Sequence, residues 1–182
     1  MIRVRLCIAI VMLAVSCAFW HSKALGVTYH WGATTGVMQQ PTSHYYHLTY
    51  GTYLEAASDK KGFLFRLRYA ERPKFSTTDF EDQEQAMFTT LGTQVLKSKY
   101  GALYGYFGGG NIKGSIRSKE SNTTRTYELS GLTTEISWAV HFKHFEVALE
   151  HQTFVGLASQ HEVEAYVGWP FNFYRLSIGT NI

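Results

Sequence analysis

The chain has 182 residues, a formal net charge of +3, and three prolines against an aromatic content of 15%. Its two cysteines, Cys7 and Cys17, both precede residue 27, so the remainder can form neither disulfides nor a thiolate nucleophile. No window keeps a sustained helical period, which argues against a helical fold, and we expect no nucleic-acid partner.

The first 26 residues are predicted to be a secretory signal peptide that is cleaved. Two arginines precede an apolar run at residues 6–20, and Ala24, Leu25 and Gly26 offer small residues for cleavage. The run of about fifteen residues is shorter than the roughly twenty that a membrane-spanning helix needs. We therefore predict that residues 27–182 form a single domain.

Alternation of apolar and polar residues predicts strands along this whole domain. In chain order, the candidate strands are 27–38, 44–57, 61–72, 85–98, 100–109, 125–140, 144–155, 160–169 and 172–181. Single-chain bacterial barrels have an even number of strands. Either the segment from Val27 is not a full strand, or "VGWPFN" bends one strand rather than separating two. We predict eight strands.

The connections between the candidate strands alternate in length. We predict tight turns at residues 58–61, 97–101 and 141–144, whereas the polar segments that begin at Pro73 and Gly108 are predicted to be long loops. Short periplasmic turns and longer external loops are typical of bacterial outer-membrane barrels.

The two faces of the strands differ in charge. In "KGFLFRLRYAER", residues 61–72, one column is aromatic and aliphatic while the other contains Arg66 and Arg68. The lysines that follow residue 26 fall in or beside turns and loops, although a solvent-exposed sheet face usually carries lysine. An enclosed interior favours Glu and Arg, which form fixed, multiply hydrogen-bonded pairs.

We therefore predict that the apolar column faces lipid and that the charged column forms a network in the lumen of a barrel. The predicted network consists of Glu55, Arg66, Arg68, Glu135, Glu146, Glu150, Glu162, Glu164 and Arg175.

With this alternation, residues 27–182 resemble the small outer-membrane barrels of the OmpA and OmpX kind. The last stretch, "FYRLSIGTNI", looks like the final strand that the barrel-assembly machinery recognises, although it ends on Ile182 rather than on an aromatic residue. The resemblance implies an all-β fold, a small closed antiparallel transmembrane β-barrel. It also implies the outer membrane of a Gram-negative bacterium, with outer-membrane lipid and lipopolysaccharide as partners. An eight-stranded barrel is filled by its own side chains, so we expect it to conduct nothing much larger than water.

The best candidate for catalysis is "SHYYH", residues 43–47. Ser43 and His44 point to opposite faces of a regular strand, and His47 lies roughly 13 Å along it from Ser43, too far to activate a hydroxyl. The His-x-Ser-Asn run of lipid A deacylases is absent. We expect no catalytic residue, no metal and no cofactor.

The sequence thus predicts a non-enzymatic structural, anchoring or adhesion component of the cell envelope, which contacts an envelope protein through its two long loops. Two alternatives stay open at this point. One is an outer-membrane enzyme that modifies lipid A or phospholipid, and the other is a soluble lipocalin-like binding protein.

Overall fold

The computed structural model describes residues 26–40, 46–58, 62–160 and 167–181. The strands are β1 (Val27–Gln39), β2 (Tyr46–Ser58), β3 (Phe63–Ser76), β4 (Phe80–Ser98), β5 (Gly101–Ser118), β6 (Thr124–His141), β7 (Phe145–Gln160) and β8 (Pro170–Asn181). Each strand pairs antiparallel with its chain neighbours, and β1 also pairs with β8. The predicted closed antiparallel barrel of eight strands is therefore confirmed. Within the described ranges, no helix is long and apolar enough to cross a membrane.

The described residues form eight strands, one fewer than the nine candidates. The segment from Val27 is a full strand that closes the barrel against β8. Most of the candidate strand 160–169 lies outside the described residues, and within it Val167 makes an isolated parallel bridge to Gly156. The predicted signal peptide also lies outside the described residues except for Gly26, and it stays a prediction.

The two predicted long loops are mostly strand, so that prediction was wrong. β3 continues to Ser76 before a connection at residues 77–79, and β5 continues to Ser118 before a connection at residues 119–123. The glycines that suggested a flexible loop exit lie in the middle of β5. A Cβ on Gly108 would collide with the Thr89 carbonyl oxygen of β4, so this position requires glycine because the backbones approach closely.

The connections define the two ends of the barrel. We call the end with the connections at residues 99–100 and 142–144, together with the start of β1 and the finish of β8, the turn end. The opposite end, with the connections at residues 77–79 and 119–123, is the loop end.

The apolar column faces outward over most of the barrel height. Phe63 is 62% exposed and Leu149 is 64% exposed, whereas Arg66 is 2% exposed. A soluble lipocalin-like barrel would place these apolar side chains inside. The observed sidedness is that of a barrel surrounded by lipid.

The apolar belt stops where β4, β5 and β6 carry Gln85, Lys113 and Glu128 side by side. Beyond this row the strands β3 to β6 continue as a four-stranded extension, which we call the protruding sheet: residues 72–76, 80–84, 114–118 and 124–127. Its outward residues are polar, and Lys113 Nζ lies 3.0 Å from Glu128 Oε2. The protruding sheet therefore stands in water at the loop end.

Candidate functional site: the barrel interior and its loop end

The lumen contains a compact cluster of acids and arginines near the turn end, which we call the inner charge layer. Arg66 lies at its centre. Its Nε donates to Glu55 at 2.8 Å, and its Nη1 donates to Glu135 at 2.5 Å and to Glu150 at 3.0 Å. Arg68 donates to Glu150 at 2.8 Å from Nη2, and its Nη1 lies 3.2 Å from Glu135. Two arginines thus share three carboxylates, all of them buried.

Strand register brings these groups together. Glu55 on β2 and Arg66 on β3 are direct cross-strand partners, so their side chains rise on the same face of the sheet. The Tyr106 hydroxyl on β5 adds a bridge, because it accepts from Arg66 at 2.7 Å and donates to Glu55 at 2.8 Å. Sequence reasoning missed Tyr106, since a tyrosine on the polar column has no charge to reveal it.

Arg175, the third arginine of the predicted network, takes a different position. It is opposite Glu150 in the register of β7 and β8, yet it forms no ion pair with the described residues. Its Nη1 donates to Gln152, and its guanidinium lies over the Phe173 ring at 4.4 Å. This positive charge lies between the inner charge layer and the aromatic groups above it, where a cation–π contact is favourable.

The remaining predicted members do not join this cluster. Glu146 lies at the turn end and meets His141 there, with 2.9 Å between Oε2 and Nδ1. Glu162 and Glu164 lie outside the described residues.

A second cluster, which we call the outer charge layer, lies at the loop end. Arg72 pairs with Asp82 at 2.9 Å and with Glu84 at 3.0 Å. Glu84 also accepts from the Tyr127 hydroxyl and, at 2.7 Å, from the amide of Gln40. Sequence reasoning missed this layer because it assigned both acids to a loop. A signal was present, since Arg72 continues the lumen-facing column of Arg66 and Arg68.

An apolar layer separates the two charge layers. The lumen-facing side chains of β4 include Glu84 and then Phe88, as the strand runs toward the turn end. Those of β7 include Glu150 and then Phe154, as the strand runs toward the loop end. The Phe88 ring lies 5.7 Å from Phe154 and 5.5 Å from Phe173, which are edge-to-face distances. The other buried apolar members of the cluster are Met38, Ala70, Ala86, Ile112, Leu129 and Phe171.

Little space remains beside this layer. A cavity of about 10 Å³ lies between Met38, Ile112 and Phe173, enough for about one water molecule at most. The lumen is therefore filled by side chains, as expected for eight strands.

The described residues do not assemble the histidine candidates into a catalytic group or a metal site. Ser43 and His44 lie outside the described residues, and the ring of His47 lies 6.0 Å from that of Phe75 with Nδ1 at 3.4 Å from Arg72. Within the described ranges, no three His, Cys, Asp or Glu side chains are grouped to hold a metal ion.

Comparisons with known proteins identify the fold. No protein-family model matches the chain, and no curated protein matches it in sequence. Among solved structures, Ail, the attachment invasion locus protein of Yersinia pestis, is similar with a TM-score of 0.59 at 12% identity, over 86% of this chain and 97% of that chain. Ail was also crystallised with the heparin analogue sucrose octasulfate.

Two further structures agree. Neisserial surface protein A is similar with a TM-score of 0.54 at 7% identity, over 86% of this chain and 97% of that chain. A major outer membrane protein from Thermus thermophilus has a TM-score of 0.51 at 12% identity, over 86% of this chain and 99% of that chain. The chain therefore has the fold of the small eight-stranded outer-membrane β-barrels.

Proposed function

We propose that the protein is a non-enzymatic outer-membrane barrel that holds the protruding sheet outside the cell as a contact surface for another protein. The turn end then faces the periplasm and the loop end faces the exterior. The observation that supports this proposal is a group of exposed apolar side chains on an element that stands in water. We call the group Phe75, Phe80 and Ile116 the aromatic patch.

The aromatic patch lies beyond the apolar belt, so lipid does not explain it. Phe75 and Phe80 are 46% and 40% exposed, and their ring centroids are 6.5 Å apart. Ile116 is level with Asp82 on the neighbouring strand, on the side of the sheet that carries the outer charge layer. Exposed aromatic residues that cluster on a hydrated surface are typical of protein-binding sites.

The opposite face and the tip of the protruding sheet carry polar and charged side chains, so the apolar contact area lies on one face. Lys74 Nζ lies 2.7 Å from Glu81 Oε2, and this hydrogen bond lowers the pKa of Glu81. Lys119 donates to the Ser76 hydroxyl at 2.9 Å, and Arg117 donates to Asn122 at 2.6 Å.

The β3 edge of the protruding sheet argues for binding through side chains rather than by addition of a strand. The pairing of β2 with β3 ends at Tyr50 and Glu71. Beyond Glu71, β3 is not paired with the described residues of β2 and forms an edge of the sheet. This edge carries Pro73 and Lys74 at a register irregularity. Proline, lysine and bulges are features that protect sheet edges from strand addition.

A protein partner would use the aromatic patch, which a polyanion would not need. Three cations on or beside the protruding sheet, Arg72, Lys74 and Lys113, are already paired with acids at 3.0 Å or less. The sucrose octasulfate complex is a property of Ail, and sulfated sugar is a useful negative control here.

Site-specific photo-cross-linking on intact cells tests this proposal. A photoreactive phenylalanine analogue at position 75 or 80 should give a discrete adduct, whereas the same group at Gln83 or Thr126, on the polar side of the same sheet, should not. Phe75→Ser with Phe80→Ser should reduce binding of the purified partner by tenfold or more, since hot-spot aromatics contribute about 2 kcal/mol or more. Equal adducts from both faces would contradict the proposal.

We also propose that the interior is not catalytic, because its buried acids and arginines are bonded to one another rather than to a cleft. The test is the acyl pattern of lipid A and the phospholipid profile with and without the protein. A changed pattern that depends on His47 would establish the enzymatic alternative instead.

A further inference from the structure

A cleft of about 600 Å³ opens at the turn end, far from the aromatic patch and next to the inner charge layer on its turn-end side. The end of β4, the start of β5 and the end of β6 form it. The polar side chains that matter here are Lys97, Lys99, Tyr104 and His141. Ligand sites of small molecules usually have volumes of about 300–1,000 Å³.

A β-bulge turns Lys97 into this cleft. Val95 is an extra residue without a partner on β5, so both Val95 and Leu96 face outward, where they are 59% and 61% exposed. The alternation resumes one residue later, and Lys97 is level with Ala102, which faces the lumen and is buried. Without the bulge, Lys97 would point away from the lumen.

Within the part of the chain that the structure describes, the lysines of the cleft have no acidic partner. Neither Lys97 nor Lys99 forms an ion pair with the described residues, and the ammonium of Lys99 lies over the Tyr100 ring at 4.7 Å. Elsewhere, Lys74 and Lys113 are paired with glutamates. The cleft therefore holds two positive charges that are available to an anion.

The opposite wall of the cleft carries a chain of hydrogen-bonding groups. Glu146 Oε2 lies 2.9 Å from His141 Nδ1, and His141 Nε2 lies 3.0 Å from the Tyr104 hydroxyl. When the imidazole is protonated, both ring nitrogens donate, so the Tyr104 oxygen accepts from Nε2. The O–H of Tyr104 is then free to donate to a ligand in the cleft.

We propose that this cleft binds a phosphate-bearing group, either the headgroup phosphate of a membrane phospholipid or a free phosphate compound. Lys97 and Lys99 supply charge, Tyr104 supplies a directed donor, and protonated His141 adds a third positive charge. Phosphate oxygens form strong charge-assisted hydrogen bonds with such groups. The turn end lies where inner-leaflet headgroups meet water, so both sources of phosphate are within reach.

The proposed site responds to pH through His141. The groups that face it are Glu146 from β7, Lys97 from β4, Tyr104 from β5 and Glu55 from β2. The hydrogen bond with Glu146 is the main cause that raises the pKa of His141, while burial and Lys97 act in the opposite direction. Affinity for an anion therefore increases as the pH falls through this raised pKa.

Isothermal titration calorimetry on the protein in dodecyl maltoside micelles, which carry no phosphate, tests the site, with dihexanoyl-phosphatidylglycerol and inorganic phosphate as probes. Lys97→Gln should weaken binding about tenfold, and Lys97→Arg should retain it. Lys119→Gln, at the loop end, is the matched control and should leave affinity unchanged. Binding of the lipid alone identifies a headgroup site, and binding of both probes identifies a phosphate site.

The pH arm uses the phosphodiester probe, because its single charge is constant near neutrality. Its affinity should be several-fold higher at about pH 6 than at about pH 8.5, and His141→Gln should remove the difference. The proposal is overturned when neither probe binds, or when Lys97→Gln binds as tightly as the wild type.

Discussion

At the scale of single residues, Arg66 decides whether the inner charge layer is stable. Its guanidinium bonds to Glu55, Glu135 and Glu150 at once. A buried ion pair adds little stability compared with an apolar pair of the same shape, but removal of one partner leaves buried charge without compensation. Here one substitution would leave Glu55 without its arginine partner and would leave Glu135 and Glu150 to share Arg68 alone.

We expect Arg66→Met to lower the free energy of unfolding by about 3–5 kcal/mol. Urea titration in lipid vesicles, followed by tryptophan fluorescence, measures it. Arg117→Met on the exposed protruding sheet is the control and should change stability by less than about 0.5 kcal/mol. Equal effects would mean that the inner charge layer is not a buried network.

His141 gives a stability prediction with a defined sign. Its pKa is raised above 6.5, mainly by the hydrogen bond with Glu146. A histidine with a raised folded-state pKa contributes stability that is fully present below the unfolded pKa and is lost as the pH rises through the folded pKa. The midpoint of urea unfolding should therefore decrease slightly from about pH 6 upward, and His141→Gln should flatten that slope. The effect is small because the imidazole is partly exposed.

At the scale of elements, the barrel is stabilised by contacts that do not involve the tip of the protruding sheet. The barrel strands are closed by β1 and β8 and packed around the apolar layer. The tip of the protruding sheet contributes the aromatic patch but no residue of the inner charge layer. Its outermost pairs, such as Ser76 with Glu81 and Arg117 with Thr124, can be removed without breaking the Arg72 contacts.

We therefore expect a variant in which residues 74–81 and 117–124 are each replaced by Asn-Gly, a dipeptide that favours two-residue hairpins, to insert and fold. Its circular dichroism spectrum and thermal midpoint in detergent should stay close to those of the wild type, while binding of the purified partner is lost. Failure to fold would show that the protruding sheet is part of the folding unit.

Alternation of apolar and polar residues predicted most of this architecture. The parts that it did not predict are those where the alternation is interrupted or absent. Period-two reasoning identified the lipid-facing column of β3 and placed Glu55, Arg66 and Glu150 on the opposite column, where the structure buries and pairs them. It could not foresee the bulge at Val95, which reverses the face of Lys97. It also failed where polar composition was taken for a loop. In the protruding sheet one face is polar and the other mixes acids such as Asp82 with aromatic residues, so the segment lacks the apolar–polar alternation that distinguishes a strand from a loop.

At the scale of the whole molecule, the order of the layers along the lumen determines what can pass. Water can approach the inner charge layer from the turn end and the outer charge layer from the loop end. Between them, Phe88 and Phe154 are at most 1% exposed, and an apolar layer without room for a chain of water molecules is a barrier to ions. The two charge layers are therefore not joined into a pore.

The last prediction concerns this barrier. Vesicles that contain the wild-type protein and a trapped pH-sensitive dye should leak protons no faster than protein-free vesicles. Phe88→Ala removes the ring that contacts both Phe154 and Phe173, and it also lies 5.9 Å from the Arg175 guanidinium. We expect this variant to lose about 3–5 kcal/mol of stability and to leak faster, because water in the new cavity would connect Arg175 with the outer charge layer.

Phe107→Ala, on the lipid-facing side of the barrel, removes the same ring volume without opening the lumen and should not leak. Rapid leakage through the wild type would mean that the phenylalanines do not seal the lumen.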